Sequence, residues 1–168
     1  NNTIQIANMA AMQQFVKTAS KKINKIKNSS NKIIKLLTPE ILDLVEQLNY
    51  DEKSKFQFAL AKWFYKNKNH ALSYMALAES VITKTCEIKY PKENSDDESI
   101  RNQAKKCIDY PYNEHFNKTI NGKTNPKTNI LDIRNNIAHQ VVNRKDKVNQ
   151  DIEKLKEFIE MFEKYIFN

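Results

Sequence analysis

An all-α helical bundle is the fold class this chain predicts, and three observations lead there. Its 168 residues include one Gly, Gly122, and four Pro, at positions 39, 91, 111 and 126. So few breakers leave little room for the many tight turns of a β-sandwich or barrel. Apolar residues recur at steps of three and four over long stretches, the period of one face of a helix. The length suits one domain with a substantial core. The expectation is a single helical domain over residues 1–168.

The elements follow in order. Met9, Met12, Val16, Ala19, Ile23 and Ile26 form one apolar stripe of a long first helix, and Lys17, Lys21, Lys22, Lys25 and Lys27 cover another face. A Lys face of this kind is ordinarily solvated, with RNA contact as the second reading. Asn28-Ser29-Ser30-Asn31 predicts a turn. Thr38-Pro39-Glu40 predicts a helix start, with Thr as N-cap, Pro in the first turn and Glu beside the positive helix end. Ile41, Leu44, Val45 and Leu48 then face the core, and Asn49-Tyr50-Asp51 ends the element. Phe56, Ala59, Leu60, Trp63 and Phe64 make a third helix that stops near Asn67-Lys68-Asn69; its aromatics read as core rather than as a base-stacking platform. His70, a capping or surface residue, opens a fourth helix. Met75, Ala78, Ile82 and Cys86 share one side of it, and Ala71, Ala76 and Ala78 permit close packing.

Pro91 to Ser99 reads as a charged loop. Its Asp96-Asp97-Glu98 run suits a helix N-terminus, and adjacent carboxylates alone lack the ligand geometry of a metal site. A short helix is expected from Ser99 to Cys107. Tyr110-Pro111-Tyr112 and Asn121-Gly122-Lys123 mark irregular chain, which carries His115. Ile130, Ile133, Ile137 and Val141 define the buried stripe of the next helix, begun by Asn125-Pro126 or Asn129. The last helix has Val148, Ile152, Leu155, Ile159, Phe162 and Ile166 on one face, widened by Phe158 and Tyr165. That face fits a core stripe or part of a dimer seam.

The net charge of +8 favours an anionic partner; the plainer reading is a compositional bias toward Lys, Asn and Ile. One Gly excludes a Gly-rich phosphate loop. Cys86 and Cys107 form no CxxC pair and read as reduced thiols of a cytoplasmic protein. No apolar run approaches the roughly 20 residues of a membrane span. The first residue is Asn, not Met, so the expectation is a fragment with a further domain upstream.

The most informative segment is Arg134-Asn135-Asn136-Ile137-Ala138-His139. Basic residues here are almost all Lys; Arg occurs only at 101, 134 and 144, and His only at 70, 115 and 139. Arg offers a fixed fork of donors that fits a phosphate. His has the unperturbed pKa suited to proton transfer near neutrality. At about 100° per residue, Arg134 lies about 40° and His139 about 180° from Ile130 around the helix. Asn135 and His139 are an i, i+4 pair able to touch. Such a strip suits a cleft between two facing helices, and a twofold-related copy would bring two Arg and two His around one phosphate. The competing reading is a surface Arg paired with Glu79 or Asp132, and a His at a helix end.

On these residues the chain resembles HEPN domains, helical bundles whose ribonuclease members carry Arg, four to six residues, then His, commonly with Asn, Asp or His after the Arg. Asn69-His70-Ala71-Leu72 through Met75-Ala76-Leu77-Ala78-Glu79 also resembles the alanine-rich helix that precedes the motif in many such domains. The likeness covers most of the chain from Ile33 onward, and its flavour is that of the C-terminal HEPN half of type III CRISPR-associated ribonucleases with an N-terminal CARF domain. The resemblance implies a metal-independent endoribonuclease that acts on single-stranded RNA, needs no cofactor, and works as a homodimer with a composite site, paired through the motif helix. In the CRISPR relatives cyclic oligoadenylate binds CARF and activates the nuclease; the strands and Gly-rich turns of such a sensor are absent from this sequence. Arg134 and His139 are the expected catalytic residues and Asn135 the substrate-positioning one. Two other readings stand beside this one. The first is a non-catalytic helical module that binds RNA or a protein partner, and the second is a HEPN toxin of a toxin–antitoxin pair.

Overall fold

A computed structural model of the chain describes residues 2–26, 30–107, 130 and 145–164. The described residues contain six helices and no strand: α1 (Asn2–Ile26), α2 (Lys32–Leu48), α3 (Lys53–Lys66), α4 (His70–Lys89), α5 (Glu98–Lys106) and α6 (Lys145–Phe162). The all-α expectation holds. The first helix buries Val16 and Ile23 and half-buries Met9 and Ala19, as its stripe predicts, while Met12 is 38% exposed.

The helix boundaries follow from local chemistry. Asp97 caps α5, its Oδ1 accepting from the backbone N–H groups of Ser99 and Ile100, two donors with no partner inside the helix. Helix α3 ends where the φ of Lys68 turns to 59°. There the Lys68 N–H donates to the Tyr65 carbonyl and the Asn69 N–H to the Phe64 carbonyl, so a left-handed residue closes the last turn. Asn69 then caps α4 by accepting from the Leu72 N–H.

One boundary departs from expectation. Thr38-Pro39-Glu40 does not start a helix. The start lies seven residues earlier at Asn31, whose side chain accepts from Ile33 and Ile34 N–H groups, and Pro39 sits inside α2. A proline there removes the N–H that would bond the Lys35 carbonyl. Both residues are exposed, so water can satisfy that oxygen. Thr38 instead turns its hydroxyl back onto the Ile34 carbonyl, four residues earlier.

Helices α3 and α4 are the antiparallel heart of the molecule. At one end Ser54 donates from its N–H and hydroxyl to Glu87; at the other Ser73 Oγ donates to the Ala61 carbonyl, 2.8 Å away. Around this pair lies one apolar core of Phe56, Leu60, Tyr74, Leu77, Ile82 and their neighbours, joined by Leu155, Ile159 and Phe162 of α6. The last helix thus uses the face its periodicity predicts. Helices α1 and α2 form a second antiparallel pair. Gln13 Nε2 donates to the Tyr50 and Asp51 carbonyls, and Val16, Val45 and Leu48 join the core.

Candidate functional site

Arg134, Asn135 and His139 lie outside the described residues, as do His115, Asp132 and Arg144. Ile130, four positions before Arg134, is described: it is helical and has no exposed surface. It belongs to the core shared with Leu77, Leu155 and Phe162. The first member of the buried stripe predicted for the motif helix is therefore in the core.

The most constrained polar cluster among the described residues sits on α4. From Ser73 to Cys86 this helix is buried almost all round, interrupted only by half-buried Met75 and Lys84. Glu79 is the one charged residue between His70 and Lys84. It meets Arg101 of α5, whose Nη2 donates to Glu79 Oε2, and the two side chains are 2% and 3% exposed. Arg101 Nη1 also donates to Thr83 Oγ1 at 3.3 Å and to the Ser95 carbonyl at 3.0 Å. A buried charge is tolerated only when it is paired and hydrogen-bonded in this way. Glu79, a carboxylate that the competing reading of the motif offered to Arg134, is thus engaged by Arg101.

The sequence singled out Arg101 as scarce but assigned it no role. Two signals were available. A lone Glu amid Met75-Ala76-Leu77-Ala78 and Ser80-Val81-Ile82-Thr83 demands a cation, and Arg forms the buried pair that Lys forms less readily. The pairing itself spans 22 positions, beyond the reach of any local rule.

The acidic run ahead of α5 works as a helix start. Asp97 is the cap, Glu98 lies in the first turn, and Asp96 pairs with Lys53. Hydrogen bonds from Ser99 and Ile100 hold the Asp97 carboxyl below its usual range. Among the described residues, no group of three or more His, Cys, Asp or Glu is placed to hold a metal ion. Burial pushes the Cys86 thiol up, with Arg101 opposing, so this sulfur is a poor nucleophile. His70 is the first residue of α4, half-buried against Tyr65 with ring centroids 5.5 Å apart. Its Nδ1 is buried without a hydrogen-bond partner, which fits packing better than proton transfer.

Comparison with known proteins supplies the wider context. Over 140 residues the chain is 27% identical to the CRISPR-associated protein MJ1674 of Methanocaldococcus jannaschii. The chain is similar to a CRISPR-associated protein. The match takes in 80% of this chain but 21% of the relative, so the chain spans about a fifth of that protein's length. No family model matches the sequence, and no solved structure matches it. Among the described residues no helix is long and apolar enough to cross a membrane.

Proposed function

We propose that this chain is the nuclease part of a CRISPR-linked defence protein, a metal-independent endoribonuclease that cleaves single-stranded RNA. One observation carries the reading: the Arg134-Asn135-…-His139 motif occurs in an all-helical chain that is similar to a CRISPR-associated protein. The burial of Ile130 supports it, because the apolar stripe that frames the motif begins in the core.

RNA carries its own nucleophile, the ribose 2′-OH. The enzyme has to align it, move protons and stabilise a charge-rich phosphorane. Holding the phosphate in line supplies proximity. Arg134 neutralises charge growing on the non-bridging oxygens. His139 takes the 2′-OH proton or protonates the departing 5′-oxygen, a role typically worth about 10²–10⁴-fold. Asn135 orients His139 or bonds a phosphate oxygen. The products are a 2′,3′-cyclic phosphate and a 5′-OH. A twofold copy completes the groove by adding its own Arg and His. The same reading places control in a CARF domain that binds cyclic oligoadenylate.

The test is substitution. Arg134→Ala and His139→Ala should each reduce RNA cleavage by at least about 10²-fold, leave helical circular dichroism unchanged, and the unaltered chain should cleave in EDTA. Full activity in His139→Ala protein rejects the site. Strict dependence on a divalent ion rejects the mechanism. Salt-sensitive binding of RNA without cleavage favours the non-catalytic module instead.

A further inference from the structure

The motif leaves one large feature of the molecule unused, the outer face of α2. Ile33, Leu36, Leu37 and Ile41 are 68%, 76%, 47% and 43% exposed, although the helix also has a buried face at Thr38, Val45 and Leu48. Single exposed aliphatics need no explanation, but four at steps of three, one and four on a single helix do. The same helix carries its charges in an unusual order. Exposed Lys32 and Lys35 occupy its N-terminal half, and exposed Glu40, Asp43 and Glu46 its C-terminal half. The first turn holds no acid and the last turn no base, the reverse of what the helix dipole favours.

Both oddities resolve together if α2 lies against an antiparallel copy of itself. We infer that this face is a twofold interface, with α2 of one chain packed on α2 of a second copy. Taking Ile33 as the origin and about 100° per residue, Leu37 and Ile41 fall at about 40° and 80°, and Leu36 at about −60°. Lys32 and Asp43 fall at about −100° and −80°, on one flank of that stripe. Their midpoint along the chain lies between Leu37 and Thr38, within the run of exposed aliphatics. A dyad there sets Lys32 of each copy against Asp43 of the other and opposes the two helix dipoles. Such a contact is isologous: one patch is its own complement. Asp43 accepts from Gln47 Nε2 through Oδ2 at 2.7 Å, which holds the carboxylate in place on this flank. A partner carrying only anionic charge, such as a lipid surface, would be repelled by the C-terminal half of the helix, so a second copy fits better.

The inference does not depend on nuclease activity or on any pairing through the motif segment. Sedimentation velocity of the 168-residue chain across a concentration series tests it. The unaltered chain should show a concentration-dependent association step that Leu36→Asp removes without changing the helical signal. Lys32→Glu and Asp43→Lys should each weaken that step roughly tenfold, since each places two like-charge pairs across the dyad. The Lys32→Glu, Asp43→Lys double variant should restore it. An assembly mass insensitive to Leu36→Asp overturns the inference, as does failure of the double variant to recover association. Pelleting of the chain with phosphatidylserine vesicles, lost in Leu36→Asp without any self-association, would give the face to a lipid surface and also overturn it.

Discussion

Helices α4 and α2 distribute their side chains in opposite ways. The fourth helix keeps Glu79, Ser80, Thr83 and Thr85 out of water, whereas the second holds Ile33, Leu36, Leu37 and Ile41 in it. The polar groups of α4 are satisfied within the fold. Glu79 has Arg101, Ser80 Oγ donates to the Leu77 carbonyl, and Thr85 Oγ1 donates to the Val81 carbonyl. The apolar groups of α2 have no such internal answer. A buried polar helix is therefore a statement about the chain itself, and an exposed apolar one is a statement about something beyond it.

The comparison can be broken most forcefully at Arg101. Arg101→Met leaves Glu79 buried without its cation, at a cost of about 3–5 kcal/mol, a large fraction of the roughly 5–15 kcal/mol that holds a domain together. Urea denaturation should show a sharply lowered midpoint or no folded baseline. The Glu79→Leu, Arg101→Met double variant should recover most of the loss, because an apolar pair of similar volume carries no desolvation penalty. A single variant as stable as the unaltered chain would mean that the ion pair does not organise α4.

Gln57 on α3 is the flaw in the otherwise satisfied interior. It is fully buried, and neither side-chain polar atom has a hydrogen-bond partner. Gln57→Met retains most of the volume and removes the unpaired amide, so thermal stability should rise by about 1 kcal/mol. A fall of that size would mean that a bound water or another group satisfies the amide.

A smaller gain is available at the α3–α4 corner. Lys68 holds φ 59°, a conformation that costs any residue with a Cβ. Lys68→Gly should stabilise by about 0.5–1 kcal/mol in the same melt. An unchanged or lower melting temperature would show that the turn stores no strain.

Much of this architecture was legible in the sequence, and the reasons are local. The end of α3 at Asn67-Lys68-Asn69, the start of α5 beside Asp97 and the buried Leu155-Ile159-Phe162 face depend on neighbours a few positions away. Two features were not legible. Thr38-Pro39-Glu40 carries the chemistry of a helix start, but Asn31 supplies an earlier cap and α2 tolerates its proline on the solvent side. The Glu79–Arg101 pair joins two helices through a contact that only the folded chain creates. For the proposed nuclease site, the sequence supplies the residue types and spacing, and the fold adds the burial of Ile130. Arg134, Asn135 and His139 themselves lie outside the described residues.

End-group analysis of RNA incubated with the chain in EDTA tests the central claim most directly. Fragments ending in 2′,3′-cyclic phosphate and 5′-OH are expected with the unaltered protein and not with the His139→Ala variant. Intact RNA in both reactions, or identical fragments from both, would contradict the account.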